Sequence, residues 1–395
     1  MTNPPNGCPG KVLIVGGGIA GLALAGALHR QGVACQLVER AEAWAPVGAG
    51  IILGVNAMAA LRNLGLAEAL ESGAQPLEKM TIKDADNRRL ARTNLADLQP
   101  RFGVSLALHR SDLHDVLLQS ARHVPMHMGT TVTSIEDRGD SVAVTFSDGD
   151  KGLFDLVIGA DGLHSQVREL AFGHRPLRYS GYTCWRMVVG GGLGGSGGGG
   201  GGVPEKGAQE LWGVGKRFGL VPLDGERVYC FAVINARPGE PDPAKGRIQR
   251  LKQHFSEFGG PVPHLLNQLV QPEELIQNDL HEIILRPWYR GRVVLIGDAA
   301  HGMTPNMGQG AAMALEDVAV LTELLVAGQP LAQVLDEWAR RREPRVRWIQ
   351  NQSRRIGWVG QWKNPLACRV RNRLTHWLPD SSTTRVLAYL AAQPI

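Results

Sequence analysis

The stretch best suited to chemistry is 291–318, GRVVLIGDAAHGMTPNMGQGAAMALEDV, which joins an apolar run, a glycine-bearing loop and a helical pattern. The apolar run, 293–296, is rich in β-branched residues and predicts a buried strand. Asp298 follows at the carboxyl end of that strand, where a carboxylate can accept hydrogen bonds from ligand hydroxyl groups. A helix is predicted from about Ala311, so its unpaired N–H groups and positive dipole end face the same loop. The segment predicts a site for an anionic or polarised ligand, and the alternative is a plain strand–helix turn with a solvated Asp298.

A second cluster of glycines lies near the start of the chain, between two predicted strands. The pattern GGGIAG follows a short apolar strand, opens a helical pattern, and precedes a second strand that ends at Glu39. In such a βαβ unit Gly16 makes the tight turn, Gly18 admits a pyrophosphate, and Gly21 lets the helix pack closely on the strand. Glu39 is then placed to bind a ribose hydroxyl pair. The pattern predicts dinucleotide binding, and the alternative is a glycine-rich helix start without a ligand.

Two further segments bring charged residues to predicted helix starts. The segment DLVIGADGLHSQVR, 155–168, predicts a strand, a turn at Asp161 and a helix start, although Asp161 could also be a plain helix N-cap. Arg110, in HRSDLHDVLL, opens a predicted amphipathic helix. A cation at a helix N-terminus is electrostatically disfavoured unless an anionic partner is close. We therefore expect Arg110 to face an anion; the alternative is a surface residue at the helix start.

The GD segment at 297–310, the DG segment at 155–168 and the glycine fingerprint together closely resemble the single-component, FAD-dependent aromatic hydroxylases. This family includes salicylate, 4-hydroxybenzoate and urate hydroxylases and zeaxanthin epoxidase. The resemblance covers about residues 11–355. It implies FAD as cofactor and NADH or NADPH as co-substrate, which agrees with a chain that has one dinucleotide fingerprint. It also implies that dioxygen adds at the flavin C4a carbon, and that this hydroperoxide hydroxylates or epoxidises an aromatic or conjugated small molecule.

The resemblance also implies which residues hold the flavin. Asp298 is expected to hold the ribityl chain, Arg110 to reach the diphosphate or ribityl region, and Asp161 to support the pyrophosphate loop. The backbone N–H groups of 308–310 are expected at the flavin N1–C2 edge, where each could contribute about 3 kcal/mol. The Pro305 carbonyl is expected beside the oxygen site, so Pro305 is predicted to be catalytic as well. The full predicted cofactor-binding set is Gly16, Gly18, Ile19, Ala20, Gly21, Glu39, Arg40, Gly50, Ile51, Arg110, Asp161, Asp298, Pro305, Gly308, Gln309, Gly310 and Ala311.

Substrate contacts are predicted for two residues of later strands. Arg217 and Tyr229 are at positions similar to those of an arginine and a tyrosine that urate hydroxylase uses on its substrate, so both are predicted to be catalytic. Arg217 could pair a substrate oxyanion while Tyr229 donates to it, and the alternatives are a strand arginine facing solvent and a core tyrosine. Urate hydroxylase has an acid directly after the motif proline, where this chain has Asn306, which argues against urate as the substrate. Further candidates for lining an apolar pocket, with core packing as the alternative, are Tyr182, Trp185 and Met307.

The predicted fold class is α/β: a Rossmann-type FAD-binding domain (GR2-like, a βαβ unit plus a β-meander), an antiparallel-sheet substrate domain and C-terminal helices. Alternating apolar residues at 209–214, 216–222 and 227–234, together with 179–189, predict the antiparallel sheet. The tract at 190–202 contains eleven glycines and predicts a flexible loop. The predicted organisation is a disordered terminus at 1–10, an FAD-binding domain at 11–75 with 103–172 and 280–330, a substrate domain at 76–102 and 173–279, and a helical region at 331–395.

Composition narrows the remaining classes of protein and partner. The 395 residues are 44% hydrophobic with a net charge of +5, so a large core is expected and nucleic acid is not an expected partner. Five scattered cysteines without a CxxC pair predict reduced thiols, a cytoplasmic protein and no metal site. Every apolar run of about 18 residues is broken by glycine, so no transmembrane span is expected. The tryptophans and arginines that recur in the C-terminal helices predict core packing or a helix-packing interface, with a membrane-surface face as the alternative, so membrane association is not expected. A monomer or a homodimer is predicted.

The sequence therefore predicts an enzyme, an FAD-dependent NAD(P)H monooxygenase that hydroxylates an aromatic small molecule. Two alternatives stay open on the sequence alone. The first keeps the flavin without oxygen insertion, as in a dehydrogenase or an oxidase; a halogenase variant would need a WxWxIP pattern, which the chain lacks. The second is a non-catalytic flavin-fold binding protein, against which the intact GD and DG motifs argue.

Overall fold

The computed structural model describes residues 8–45, 49–190, 206–224 and 226–393. Most of the predicted disordered terminus at 1–10 and most of the predicted glycine loop at 190–202 lie outside the described residues. The strands are β1 (Val12–Val15), β2 (Cys35–Glu39), β3 (Gly50–Leu53), β4 (Gln75–Leu77), β5 (Lys79–Asp84), β6 (Arg89–Asn94), β7 (Ser105–His109), β8 (Met126–Met128), β9 (Val132–Asp137), β10 (Val142–Phe146), β11 (Lys151–Phe154), β12 (Leu156–Gly159), β13 (Arg178–Val189), β14 (Gly207–Trp212), β15 (Lys216–Pro222), β16 (Val228–Asn235), β17 (Ile276–Glu282), β18 (Tyr289–Arg290) and β19 (Val293–Leu295). The α-helices are α1 (Ile19–Arg30), α2 (Val55–Asn63), α3 (Ala67–Glu71), α4 (Gln99–Phe102), α5 (Arg110–Ser120), α6 (Gln166–Phe172), α7 (Arg247–His254), α8 (Val262–Asn267), α9 (Asp298–His301), α10 (Gly310–Leu325), α11 (Leu331–Gly360), α12 (Pro365–Trp377) and α13 (Asp380–Ala392).

The sheet that carries the predicted cofactor motifs has six strands in the order β18–β19–β12–β1–β2–β8. Its central strand β1 has the sequence VLIV and is buried along its whole length, as a strand inside a parallel sheet must be. Strand β1 pairs in parallel with β2 and β12, and β12 pairs in parallel with β19. The carboxyl ends of these four strands therefore meet at one edge of the sheet.

A second sheet of seven strands has the order β17–β13–β16–β15–β14–β5–β6. Strands β13, β16, β15 and β14 are antiparallel neighbours. This confirms the antiparallel sheet that the alternating apolar residues predict. The hairpin β5–β6 extends this sheet because β14 pairs in parallel with β5. One face of the sheet packs against the region of α7 and α8 through a separate apolar cluster that includes Phe218, Phe255 and Leu265.

Two small sheets complete the strand architecture. Strands β9, β10 and β11 form the predicted antiparallel β-meander. Strands β3, β7 and β4 form the other small sheet, in which Gly50 is paired opposite His109. This second pairing places Arg110, the first residue of α5, directly beside the strand that contains Gly50 and Ile51.

The C-terminal part of the chain is helical, from α10 to α13. Helix α10 packs against α1, α2 and α11, and almost all of its side chains are buried. Helix α11 continues to Gly360 although glycines at 357 and 360 disfavour a helix. Gly357 is instead required by packing, since a Cβ at that position would overlap Tyr182 and Asn306.

The architecture confirms the predicted α/β class with an antiparallel second sheet and C-terminal helices. The boundaries of the predicted domains stay a prediction. No helix among the described residues is both long enough and apolar enough to cross a bilayer.

Candidate active site

The predicted motifs converge at one edge of the six-stranded sheet. In its last paired row, Val15 of β1 lies opposite Val38 of β2 and Gly159 of β12, and Gly159 lies opposite Leu295 of β19. Each of these strands ends at or just after that row. The first residues beyond the row therefore lie together at the carboxyl edge of the sheet. These residues are Gly16, Glu39, Asp161 and Asp298.

The three fingerprint glycines have distinct geometries. Gly16 has a φ of +106°, and a Cβ there would stand 2.5 Å from the carbonyl oxygen of Ala160, which belongs to the DG segment. A Cβ at Gly21 would overlap the carbonyl oxygen of Gly16, so this glycine lets α1 lie close to the β1 turn. Gly18 is exposed, and a Cβ there would meet no protein atom within 4 Å. Gly18 therefore leaves an open approach to the amino end of α1.

Glu39 fixes the backbone of the turn beside it. Its Oε2 accepts a hydrogen bond from the N–H of Gly17 at 2.7 Å, and its Oε1 accepts one from the N–H of Ala41 at 2.9 Å. Each carboxylate oxygen can accept a further bond, so a ribose contact is compatible with this arrangement. The ribose role of Glu39 stays a prediction.

Asp161 caps the helix of the DG segment. Its Oδ2 accepts hydrogen bonds from the N–H groups of Gln166 at 2.7 Å and Val167 at 3.0 Å, which satisfies two donors at the start of α6. Arg168 then joins this segment to the GD segment, because its Nη1 donates to the carbonyl of Ala299 at 2.8 Å. The two motifs are thus tied to each other by a buried side chain.

Arg110 and Asp298 share one electrostatic neighbourhood between the two large sheets. Burial lowers the pKa of the Arg110 guanidinium from its ordinary value, and the Asp298 carboxylate opposes that shift. Arg186 and Tyr229, both from the seven-stranded sheet, also lie close enough to affect the Arg110 charge. Asp298 itself is exposed at the sheet edge, so its carboxylate is open to a ligand. This arrangement offers a cation and a carboxylate to a group that bears both phosphates and hydroxyls.

The loop before α10 differs in one respect from the prediction. Pro305–Met307 forms a 3-10 turn, and the N–H of Gly308 donates to the Pro305 carbonyl at 2.8 Å. The Gly308 N–H and the Pro305 carbonyl are therefore engaged with each other, which corrects the expectation of a free donor at Gly308. The N–H groups of Gln309 and Gly310 remain at the start of α10, where helices leave their first donors unpaired. A Cβ built on Gly310 would lie 4.0 Å from Asp298 Oδ1, so both halves of the GD segment border one space.

A buried ionic cluster supports this loop, and none of its charged residues is among those predicted from the sequence. Asp317 on α10 accepts through Oδ2 from the N–H of Gly297 at 3.0 Å and from Nε2 of His301 at 2.6 Å. Its Oδ1 accepts from Nε of Arg342 on α11 at 2.9 Å. Burial alone would raise the pKa of the Asp317 carboxyl, but His301 and Arg342 hold it below its ordinary value.

Glu316 extends the cluster to the other end of the loop. It accepts from Nη1 of Arg342 at 2.6 Å, from Nη2 of Arg345 at 2.8 Å and from Nδ2 of Asn56 at 2.8 Å. The same Asn56 amide donates to Oε1 of Gln309 at 2.8 Å, which orients the residue that begins α10. Charged residues at 316, 317, 342 and 345 within otherwise apolar helix faces were the signal in the sequence.

Arg217 is buried, contrary to the alternative of a solvent-facing arginine. Only 2% of it is exposed, and its Nη1 pairs with Oε1 of Glu210 at 3.0 Å. Its Nε donates to Gln361 at 3.1 Å and its Nη2 donates to Asn306 at 2.7 Å. Three internal partners thus occupy the guanidinium, and its direct contact with substrate stays a prediction.

Tyr229, on β16, stands where the seven-stranded sheet meets the small sheet of β3, β7 and β4. Its ring packs against Gly50 so closely that a Cβ at Gly50 would overlap it. Burial raises the pKa of the Tyr229 phenol, so the hydroxyl is neutral and can donate at neutral pH. Trp185 is on the opposite face of the sheet, packed in the cluster with Phe218 and bonded through Nε1 to Asp242. This corrects the expectation that Trp185 lines the same pocket as Tyr182.

The geometry fits FAD. Gly18 provides an open approach, Arg110 a half-buried cation and Asp298 an exposed carboxylate, all at one sheet edge. Among the described residues, no group of three His, Cys, Asp or Glu side chains is arranged to hold a metal ion. A family model described as an FAD binding domain matches residues 10–181 and 205–353. The chain belongs to this FAD-binding family.

Individual relatives agree with this membership. The chain is 38% identical over 95% of its length to 2-heptyl-3-hydroxy-4(1H)-quinolone synthase of Pseudomonas aeruginosa, of which 96% is covered. It is 37% identical over 96% of its length to aurachin C monooxygenase/isomerase of Stigmatella aurantiaca, of which 98% is covered. FAD-dependent urate hydroxylase of Klebsiella pneumoniae is 31% identical over 85% of the chain and 87% of that protein.

A solved structure extends the likeness to the fold. The structure of Klebsiella pneumoniae HpxO complexed with FAD and uric acid matches with a TM-score of 0.86 and 27% identity, covering 96% of each chain. The comparisons confirm the predicted enzyme class and cofactor: the chain is an FAD-dependent monooxygenase that hydroxylates aromatic small molecules. The alternatives of a flavin oxidase and of a non-catalytic binding protein lose their support.

Proposed function

We propose that the chain hydroxylates the ring of a 4(1H)-quinolone that carries an apolar side chain. The relative of 38% identity is named for making 2-heptyl-3-hydroxy-4(1H)-quinolone, whereas the urate hydroxylase is 31% identical. These identities favour a neutral quinolone ring over an anionic purine such as urate as the substrate. The side chain on the ring is expected to be apolar, as the heptyl group in that name is.

The observation that carries this proposal is the neutralised charge of Arg217. Glu210 forms an ion pair with Arg217 at 3.0 Å, and the side-chain amide of Asn306 accepts from it at 2.7 Å. A guanidinium that is already paired with a carboxylate attracts a substrate oxyanion weakly, because the net charge of the pair is zero. The site thus favours a substrate that is neutral.

The walls of the site agree with an aromatic substrate. Tyr182, Cys184 and Val233 form an apolar cluster on one face of the seven-stranded sheet, with Phe231 packed against it. On the same side, Nδ2 of Asn306 donates to the Tyr182 hydroxyl at 3.0 Å, which fixes the tilt of the Tyr182 ring. In this proposal the neutral Tyr229 hydroxyl donates to a ring carbonyl oxygen of the substrate.

The cofactor-side residues bind and orient in this proposal. Asp298 accepts from ribityl hydroxyls, Arg110 pairs with the diphosphate, and the N–H groups of Gln309 and Gly310 donate to the flavin edge. Bound FAD supplies the oxygen-transfer chemistry, with electrons from NADH or NADPH. Tyr229 and Gly50 would exclude water, because the Tyr229 ring packs on Gly50 between the seven-stranded sheet and the small sheet that contains β3. A cytoplasmic location, predicted from the cysteines, is part of the proposal, and all five cysteines are free.

The test is substrate-stimulated consumption of NADH or NADPH by the FAD-loaded protein. With 2-heptyl-4(1H)-quinolone we expect the rate to rise about tenfold or more over the rate without substrate, and urate to give a smaller rise. Mass spectrometry under labelled dioxygen should find one labelled oxygen atom in the product. Faster consumption with urate, or consumption that yields only hydrogen peroxide, would contradict the proposal.

A variant of the ion pair sharpens this test. Glu210→Gln leaves the Arg217 charge without its carboxylate, so we expect kcat/KM for urate to rise relative to that for the quinolone. Glu257→Gln is the matched control, because Glu257 pairs at 3.3 Å with the half-buried Lys216, which lies on the same strand as Arg217. An unchanged preference in Glu210→Gln would show that the charge of Arg217 does not select the substrate.

A further inference from the structure

The outer face of α12 carries apolar side chains that nothing in the described structure covers. Leu366, Val370 and Leu374 recur every four residues, and Trp377 follows three residues later, so they lie on one side of the helix. Trp358, from the last turns of α11, and Leu378 adjoin the helix in sequence and are exposed as well. These six side chains, called the α12 face below, are each between 56 and 68% exposed.

The α12 face is embedded in a strongly basic part of the chain. Between Glu343 and Asp380 the sequence contains eight Lys or Arg residues and no Asp or Glu. That excess is larger than the net charge of the whole protein, which is +5. The rest of the chain is therefore slightly acidic, and the positive charge is concentrated in this one part.

Four of the basic side chains are free to face outward. Arg355, Lys363, Arg369 and Arg373 are exposed, and none has an acidic partner within 4.0 Å among the described residues. Arg369 and Arg373 lie three and seven residues after Leu366, along the edge of the α12 face. The Arg373 guanidinium lies 5.2 Å from the centre of the Trp377 ring, so charge and apolar surface meet at the same place.

The inner side of α12 is anchored to the protein. Arg371 is buried, and its Nη2 donates to the carbonyl of Gly213 while its Nη1 donates to that of Gly360, each at 3.1 Å. Asn364 caps the helix, accepting from the N–H groups of Leu366 and Ala367. The α12 face is therefore the outer surface of a rigidly held helix.

We propose that the α12 face docks on the surface of a membrane that contains anionic lipids. A helix with an exposed apolar stripe, a tryptophan and flanking arginines has the composition of an interfacial helix that lies in the plane of the headgroups. A second copy of the chain fits less well, because a two-fold contact through this face would bring Arg369 and Arg373 of both copies into one interface without an acidic partner on the face. This proposal replaces the sequence-based expectation of no membrane association and does not depend on the substrate.

The position of the α12 face would bring the substrate side of the protein close to the membrane on docking. On the inner side of α11, a Cβ at Gly360 would lie 2.8 Å from Cδ of Arg217, and one at Gly357 would overlap Asn306. The last turns of α11 thus carry Trp358 of the α12 face and also contact the substrate-side residues Arg217 and Asn306. A substrate with an apolar tail concentrates in membranes, so docking would place the enzyme beside its supply.

Vesicle flotation with the full-length, FAD-loaded protein tests the proposal. We expect binding to vesicles of equal parts phosphatidylcholine and phosphatidylglycerol, no binding to phosphatidylcholine alone, and weaker binding at high salt. The double variant Arg369→Gln/Arg373→Gln should bind about 25-fold more weakly, at roughly fivefold per charge near an anionic surface. Leu374→Ser/Trp377→Ser should also lose binding, because the apolar contact is removed.

Matched controls come from exposed residues elsewhere. Val270→Ser and Arg138→Gln replace an exposed apolar and an exposed basic residue far from α12 in the sequence, and both should bind like the unaltered protein. Flavin absorbance and the thermal unfolding midpoint verify the fold of every variant. Absence of flotation with anionic vesicles would overturn the proposal. So would a concentration-dependent dimer, seen by sedimentation without lipid, that Leu374→Ser/Trp377→Ser abolishes.

Discussion

Arg217 donates through Nη2 to Oδ1 of Asn306, and 2.7 Å separates the two atoms. This bond fixes the orientation of the Asn306 amide, so that the two N–H groups of Nδ2 face three acceptors, which are the Tyr182 hydroxyl, Thr304 Oγ1 and the Ser353 carbonyl. The residue after the motif proline therefore has to be both an acceptor and a donor. An amide meets both needs, whereas an ionised carboxylate can only accept.

The first prediction concerns this amide. Asn306→Asp replaces Nδ2 by an oxygen 2.9 Å from the Ser353 carbonyl oxygen, where two acceptors would face each other. We expect the free energy of unfolding to fall by about 1–3 kcal/mol, measured by urea titration of the FAD-loaded protein. Asn351→Asp is the control: Asn351 is exposed and only accepts from Arg354, so a change within about 0.5 kcal/mol is expected. Equal losses in both variants would contradict the assigned amide orientation.

The second prediction separates the fingerprint glycines by their roles. Gly18→Ala adds a methyl group into open space at an ordinary φ of −79°, so stability without FAD should be unchanged. The same methyl group stands where the diphosphate is expected to approach, so the Kd for FAD should rise about tenfold or more. Fluorescence titration of the apoprotein with FAD measures this. An unchanged Kd would mean that the cofactor does not pass Gly18.

Gly16→Ala should instead destabilise the protein whether or not FAD is bound. The new methyl group would meet the Ala160 carbonyl at 2.5 Å, and the φ of +106° is strained for alanine. We expect the free energy of unfolding, measured by urea titration, to fall by at least about 1–3 kcal/mol. Gly139→Ala is the control that measures the destabilisation caused by a positive φ alone. Gly139 has a φ of +91°, and a Cβ there would meet no atom within 4 Å. A loss in Gly16→Ala no larger than that in Gly139→Ala would argue against the clash.

The sequence predicts that the three motifs meet at one sheet edge, because each motif is local. Gly16, Asp161 and Asp298 each follow a short apolar strand, and parallel strands bring their carboxyl ends together. Sequence reasoning could not find the partners of Arg217, since Glu210, Asn306 and Gln361 come from separate elements whose packing no local pattern encodes.

The same limit explains the other differences. The ionic cluster joins α10 to α11 across 25 or more residues, so only the packing of the two helices brings Asp317 and Arg342 together. The face of β13 that meets the substrate side depends on which sheet surface the helices α7 and α8 cover, and this placed Trp185 on the wrong side in the prediction.

The third prediction concerns that ionic cluster. Arg342→Met leaves the buried carboxylates of Glu316 and Asp317 without one of their cations. Breaking a buried pair in this way should lower the free energy of unfolding by about 3–5 kcal/mol. Arg138→Met, which breaks an exposed pair with Glu136, should cost less than about 1 kcal/mol. Similar losses in the two variants would show that the cluster does not contribute to stability.

The fourth prediction is the pH dependence that the cluster produces. The folded-state pKa of the Asp317 carboxyl lies below its ordinary value of 3.8, so its stabilising contribution is present above that pH. The contribution is lost as the pH falls below 3.8 and through the folded-state pKa. Asp317→Asn should therefore be less stable at neutral pH and should show a flatter decline of stability in acid. Urea titrations from about pH 7 to about pH 3 measure both. Parallel curves for the two proteins would rule out this titration.

The fifth prediction concerns the Tyr229 hydroxyl in turnover. Burial raises the pKa of this phenol, so it is a neutral donor at neutral pH, and the proposed function has it donate one hydrogen bond to the substrate. If that bond is made to a partly charged ring oxygen, Tyr229→Phe should lower kcat/KM for the quinolone by about tenfold to a hundredfold. Consumption of NAD(P)H without substrate and the unfolding midpoint should stay unchanged, because the ring that packs on Gly50 is kept. Tyr179→Phe is the matched control, since the Tyr179 hydroxyl donates to the Ala236 carbonyl away from the sheet seam. Equal kcat/KM values for Tyr229→Phe and Tyr179→Phe would assign Tyr229 to packing alone.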